Sequence, residues 1–191
     1  MRLAGPLALV LLLAASPAAL RAQDRRLGER LDPVTATAVQ RLVDSARVAG
    51  LPTEPLVQKA LEGSTLGAGG DRIRTAVASL YGQLSRARDA LGSGASEPEL
   101  TAAASAIRAG VPADTLRQLQ TLRSGRSLVV PISVLTDLVA EGTPLDRASS
   151  SVFDLARAGR PDDDFVALRR KVETQELPEG PRPVADPPTE P

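Results

Sequence analysis

Apolar positions recur at helical spacing along most of the chain. The longest run is Ile73, Ala76, Val77, Leu80, Leu84, Ala87 and Leu91. It makes one stripe on a 3.6-residue period and predicts a helix over 72–91. Gly82 inside that helix costs about 1 kcal/mol relative to Ala. Shorter stripes predict a helix over 33–49 capped by Asp32, and one over 54–62 capped by Thr53. The Gly-rich stretch 63–70 (GSTLGAGG) reads as a loop and 92–95 as a linker. A helix over 96–109 opens with a capping box between Ser96 and Glu99. Further helices are expected over 114–123, 128–141, 145–158 and 163–175. The segment 128–134 (LVVPISV) is β-branched enough for a strand, but Pro131 argues against a central strand and no partner strand exists elsewhere. The expectation is an all-α fold, an array of about eight short helices.

One pattern recurs at the breaks between these helices. A Gly is followed two residues later by Pro, then by an acid, then by an apolar residue. The copies are Gly50-Leu51-Pro52-Thr53-Glu54-Pro55-Leu56, Gly110-Val111-Pro112-Ala113-Asp114-Thr115-Leu116, Gly142-Thr143-Pro144-Leu145-Asp146-Arg147-Ala148 and Gly159-Arg160-Pro161-Asp162-Asp163-Asp164-Phe165. A degenerate fifth copy, Gly67-Ala68-Gly69-Gly70-Asp71-Arg72-Ile73, carries Gly in the Pro slot. Gly supplies the left-handed residue that ends a helix. Pro cannot continue that helix but fits the first turn of the next. The acid faces the positive end of the new helix dipole. The spacings between these glycines are 17, 43, 32 and 17 residues, too irregular for the standard solenoid families.

The stretch 49–63 (AGLPTEPLVQKALEG), with Gly67 and Arg72-Ile73 after it, resembles exported, uncharacterised all-helical proteins of GC-rich bacteria, which have helix corners of the GLPxxPLxxKALEG type. The resemblance extends loosely over 40–172. Those proteins have Lys before the residue matching Gly67 and Pro at the position of Gly69, where this chain has Leu66 and Gly69. The resemblance implies a helical fold and carries no assigned activity.

The two ends differ from the body. Arg2, the apolar run 7–15 (LALVLLLAA), Pro17 and the small residues Ala18, Ala19 and Ala22 make a signal peptide over 1–22, with cleavage expected after Ala22. The competing reading is an uncleaved anchor over 3–20. Pro6 and Pro17 inside it, with Arg21, Arg25 and Arg26 after it, oppose that reading. The tail 177–191 has six Pro and only Leu177, Val184 and Ala185 as apolar residues. It cannot bury enough surface to order itself and is expected to be a disordered acidic spacer. One helical domain is expected over 23–176.

Composition narrows the chemistry. The 191 residues include no His and no Cys. That removes Ser-His-Asp and Cys-His catalysis, zinc fingers, disulfides and histidine switches. Charge is balanced at 23 basic and 23 acidic residues. Without the signal the balance is 21 to 23, and 173–191 holds five acids and one base. No nucleic-acid partner is expected from so neutral a body. With only two Phe, one Tyr and no Trp, a core of small aliphatics suits close helix packing better than a large ligand cavity.

Candidate sites are therefore few. Asp162, Asp163 and Asp164 can be read as a site for a hard cation, or more plainly as acids at a helix start. Glu54 and Glu62 are a carboxylate pair of the kind that glycan hydrolysis needs, or simply the polar face of a short helix. Tyr81, Phe153 and Phe165 are partner anchors or core aromatics. Arg72, Arg74, Arg86 and Arg88 are an anion-binding row or a solvated face. The plainer reading is favoured each time, so the sequence assigns no catalytic residue, no metal and no cofactor. It points to a periplasmic or secreted, non-catalytic interaction or scaffold protein whose partner is an envelope protein or a cell-wall component, with no membrane span after signal cleavage. The alternative is a carboxylate-dependent envelope hydrolase acting on cell-wall glycan.

Overall fold

The computed structural model describes residues 25–176, so the signal segment and the Pro-rich tail lie outside the described residues. Those residues are helical throughout, with no strand among them. A short helix over 25–30 (α1) precedes α2 (Pro33–Val48), α3 (Glu54–Thr65), α4 (Gly70–Leu91), α5 (Glu97–Arg108), α6 (Ala113–Leu122), α7 (Val129–Ala140), α8 (Leu145–Arg157) and α9 (Asp162–Glu176). No described helix is long and apolar enough to cross a membrane. The chain gathers into two compact units. One holds 25–48 and 53–78, the other 49–52 and 79–176, so the long α4 contributes its first part to the first unit and the rest to the second.

In the first unit, Asp32 opens α2 by accepting N–H bonds from Val34 (3.1 Å) and Thr35 (3.0 Å) through Oδ1, which satisfies two of the orphan donors of that helix start. Thr35, Val39, Val43 and Ala46 form the buried stripe of α2, and Leu56, Val57 and Ala60 that of α3. The loop expected over 63–70 begins later. Gly63, Ser64 and Thr65 continue α3 because each has a tertiary or local reason to stay helical. Ser64 donates its hydroxyl to Arg30 O at 2.7 Å and Thr65 to Leu61 O at 2.9 Å. Gly63 faces Ile73, where a Cβ would come within 2.9 Å of the side chain. Thr53 precedes α3 without capping it. Its backbone is helical and its side chain makes no capping bond.

In the second unit α7 packs against α5, α8 and α9, and α6 packs against α8. This central position explains why α7 is apolar around most of its circumference. Pro131, Ile132, Val134, Leu135 and Leu138 are all buried in it, and Pro131 lies in its first turn, where the missing N–H costs nothing. Leu100, Ala103, Leu116, Leu119, Val152 and Phe165 complete the core.

Helix ends in both units close with the same pair of hydrogen bonds. At the end of α5, Val111 N donates to Ala106 O (2.9 Å) and Gly110 N to Ile107 O (3.1 Å), with Gly110 at φ 100°. This is the double bond pattern that a left-handed residue completes after a helix. Equivalent pairs occur at 67–68, 142–143 and 159–160. Pro112 and Pro144 stand immediately before α6 and α8.

Candidate functional site

The second unit carries a cavity of about 480 Å³ between the chain at 91–99 and the chain at 120–128, its wall including Gly92, Gly94, Glu99, Gln120, Arg123 and Arg126. It is built from helix ends whose backbone groups charged side chains hold in place. Arg88, in the last turn of α4, donates to Ser93 O at 2.8 Å and also to Gly50 O. Both acceptors are carbonyls of helix-terminal turns, where unpaired acceptors accumulate.

Glu99 closes two helix starts with one carboxylate. Its Oε2 accepts from Ser96 N (2.9 Å) and Ser96 Oγ (2.8 Å), and its own N–H reaches Ser96 Oγ, so the capping box of α5 is complete in both directions. Its Oε1 accepts from Leu128 N at 2.9 Å, at the start of α7. Burial pushes the Glu99 carboxyl up, but the N–H donors of Ser96 and Leu128 and the Ser96 hydroxyl outweigh it and leave it below its ordinary value.

Arg123, the residue after α6, is only 4% exposed. Its Nε donates to Ser127 O (3.0 Å), Nη1 donates to Arg160 O (2.8 Å), and Nη2 pairs with Asp162. The guanidinium lies 4.9 Å from the centre of the Phe165 ring, a cation–π placement. Burial lowers its pKa first, the nearby Arg126 lowers it further, and Asp162 opposes both. The group nonetheless stays charged, since arginine holds its proton across the accessible range. Arg126 donates through Nη1 to Gly159 O at 2.8 Å.

The residues singled out in the sequence fall elsewhere or serve differently. Asp162 and Asp164 pair with Arg123 and Arg160 at the first turn of α9. Among the described residues, no group of three or more acidic side chains is arranged for a metal. Glu54 pairs with Arg26 (2.8 Å) and Glu62 with Lys59 (2.8 Å), and eight residues of one helix separate the two carboxylates by about 12 Å of rise. Phe165 is wholly buried and Phe153 nearly so, with Arg157 over its ring at 5.9 Å. Tyr81 is half-buried. Of the arginines on α4, Arg74 pairs with Asp71 and reaches Thr35 Oγ1 at 3.1 Å, and Arg88 is spent on carbonyls, while Arg72 and Arg86 are exposed. The four therefore do not act as one row.

Sequence reasoning passed over Arg123, Arg126 and the bond from Glu99 to Leu128. The only available signal was a polar helix end running into Ser124-Gly125. As a whole the arrangement braces turns around a half-open hollow of mixed polar and apolar lining. Asp32 and Glu99 titrate below their ordinary values because they accept hydrogen bonds at helix starts, so these two are held ionised rather than poised as proton donors. No protein-family model, no curated protein and no solved structure matches this chain.

Proposed function

We propose that the protein is a non-catalytic interaction or scaffold module of the bacterial envelope, exported by its N-terminal segment and tethered or spaced by its Pro-rich tail. The observation that carries this reading is the use made of the charged side chains. Asp32 in the first unit, and Arg88, Glu99 and Arg123 in the second, all hold backbone groups at helix ends, which fixes the turns within each unit rather than serving chemistry. A hydrolase would instead hold one carboxyl protonated near neutral pH beside an ionised one. The apolar run 7–15, Pro17 and Ala22 support export. The composition of 177–191 supports an extended spacer.

The test is photo-crosslinking in the native envelope. Pro52 is buried and unsuitable for a probe, whereas Val48 and Leu66 are 91% and 76% exposed and Pro144 is also exposed. Probes at Val48, Leu66 and Pro144 are expected to capture one dominant envelope protein, with loss of the product when the probe moves to the buried Val43. Capture of glycan fragments together with their release on incubation with purified wall, abolished by Glu54→Gln, would overturn the reading in favour of hydrolysis.

A further inference from the structure

The cavity of the second unit has a charge pattern that bracing alone does not use. Glu99 and Arg126 both stand on its wall. Neither has a counter-ion within 4 Å among the described residues, and neither pairs with the other. Glu99 Oε1 takes one donor, Leu128 N, and keeps a second acceptor position. Arg126 commits one N–H, to a neutral carbonyl, and keeps the rest of its planar fork. The Arg123 charge, by contrast, is answered by Asp162. The Gln120 amide and the Ser124 hydroxyl, also on the wall, make no hydrogen bond among the described residues. A Cβ at Gly92, Gly94 or Gly125 would meet nothing within 4 Å.

An anion and a cation on one wall, each hydrogen-bonded but without an ion-pair partner among the described residues, are the complement of a small molecule that carries both signs. A volume of about 480 Å³ falls in the range of small-ligand cavities. Arg88, Glu99 and Arg123 already fix the turns that form the rim, so little ordering cost remains for binding. We propose that this cavity binds a zwitterion of the amino-acid type, its carboxylate on the Arg126 guanidinium and its ammonium towards Glu99 Oε1. A guanidinium fork and a carboxylate make charge-assisted bonds about twice as strong as neutral ones, and the ammonium gives Glu99 the cation it lacks. The proposal goes beyond the scaffold reading and does not depend on it.

The experiment is a titration of the isotope-labelled full chain, read at the amide resonances of Gly92, Gly94 and Gly125. The probes are alanine, acetate and methylammonium. Alanine is expected to shift these resonances with a Kd at least about tenfold below that of either half-molecule, and Arg126→Gln to raise the alanine Kd by about tenfold or more. No response to alanine, or a response that acetate alone reproduces, would overturn the proposal. So would an alanine Kd unchanged in a folded Arg126→Gln chain. Should that variant lose its fold, the three probes on the unsubstituted chain decide the matter alone.

Discussion

Two glycines of the first unit, Gly63 and Gly70, stand where any Cβ would press into a neighbour. At Gly63 the neighbour is Ile73, and at Gly70 it is the Thr35 hydroxyl with the Asp32 carboxylate behind it. The second unit manages its junctions the other way. Gly110 and Gly142 have open space around the missing Cβ, and side chains reaching across the gap hold the turns: Arg123 to Ser127 and Arg160, Arg126 to Gly159, Glu99 to Leu128. At these two glycines the first unit seats a side chain of another segment directly against bare backbone. Charged side chains also link segments of the first unit, Arg26 to Glu54 and Arg74 to Thr35, but at 92–128 the second unit uses them to span a polar gap. The first arrangement fails when volume is added, and the second when a partner of a buried charge is removed.

The largest expected effect breaks the second arrangement at its apolar floor. Phe165→Ala removes a fully buried ring and the face on which Arg123 rests, and should cost about 3–5 kcal/mol in denaturant unfolding. Asp162→Ala comes next. It leaves the Arg123 charge with carbonyls and a ring only, but Asp162 itself is 44% exposed and water can replace part of it. A loss of roughly 1–3 kcal/mol is expected, below the full cost of orphaning a buried ion.

Two identical substitutions on α4 sharpen the contrast. Gly70→Ala must displace Thr35 and the Asp32 cap, and should cost about 1–3 kcal/mol, with faster amide exchange at the start of α2. Gly82→Ala meets nothing within 4 Å and should gain up to about 1 kcal/mol from helix propensity. A neutral or stabilising Gly70→Ala would mean that close approach is not what the first unit depends on.

The smallest effect is in acid. Glu99 titrates below its ordinary value in the folded chain, so the unfolded chain binds its proton first as the pH falls. Its stabilising contribution is complete above the usual carboxylate range and is lost as the pH drops through that range to the lowered folded value. Glu99→Gln should flatten this part of the stability–pH curve and leave the part near neutrality parallel to that of the parent chain.

How much of this was legible in the sequence depends on the range of each interaction. The Ser96–Glu99 box and the Asp32 cap are local, with donor and acceptor within three residues, and both appear in the structure as expected. The stripe of α4 is equally local in origin, and Ile73, Val77, Leu84, Ala87 and Leu91 are buried. Gly63 was misread as a helix stop because its reason for being Gly is Ile73, ten residues on and on another helix. Thr53 was misread as a cap because the residue type suits the position, while the backbone there is already helical. Arg123 was one of 21 arginines, and nothing local marks it. Two of its acceptors are carbonyls, one of them 37 residues away, and a carbonyl has no residue type to read. The acidic run at 162–164 suits a helix start as expected, but the bond from Asp162 to Arg123 is a tertiary fact.

Arg88 binds carbonyl oxygens at residues 50 and 93, and touches no side chain there. Every amino acid offers the same oxygen. The identity of residue 93 can therefore drift through evolution without loosening the grip, provided the turn keeps its course, whereas residue 88 has no substitute with the same fork of donors. Across diverged copies of this chain, position 93 should wander while position 88 stays arginine: a lock that recognises the path of the backbone and is blind to its spelling.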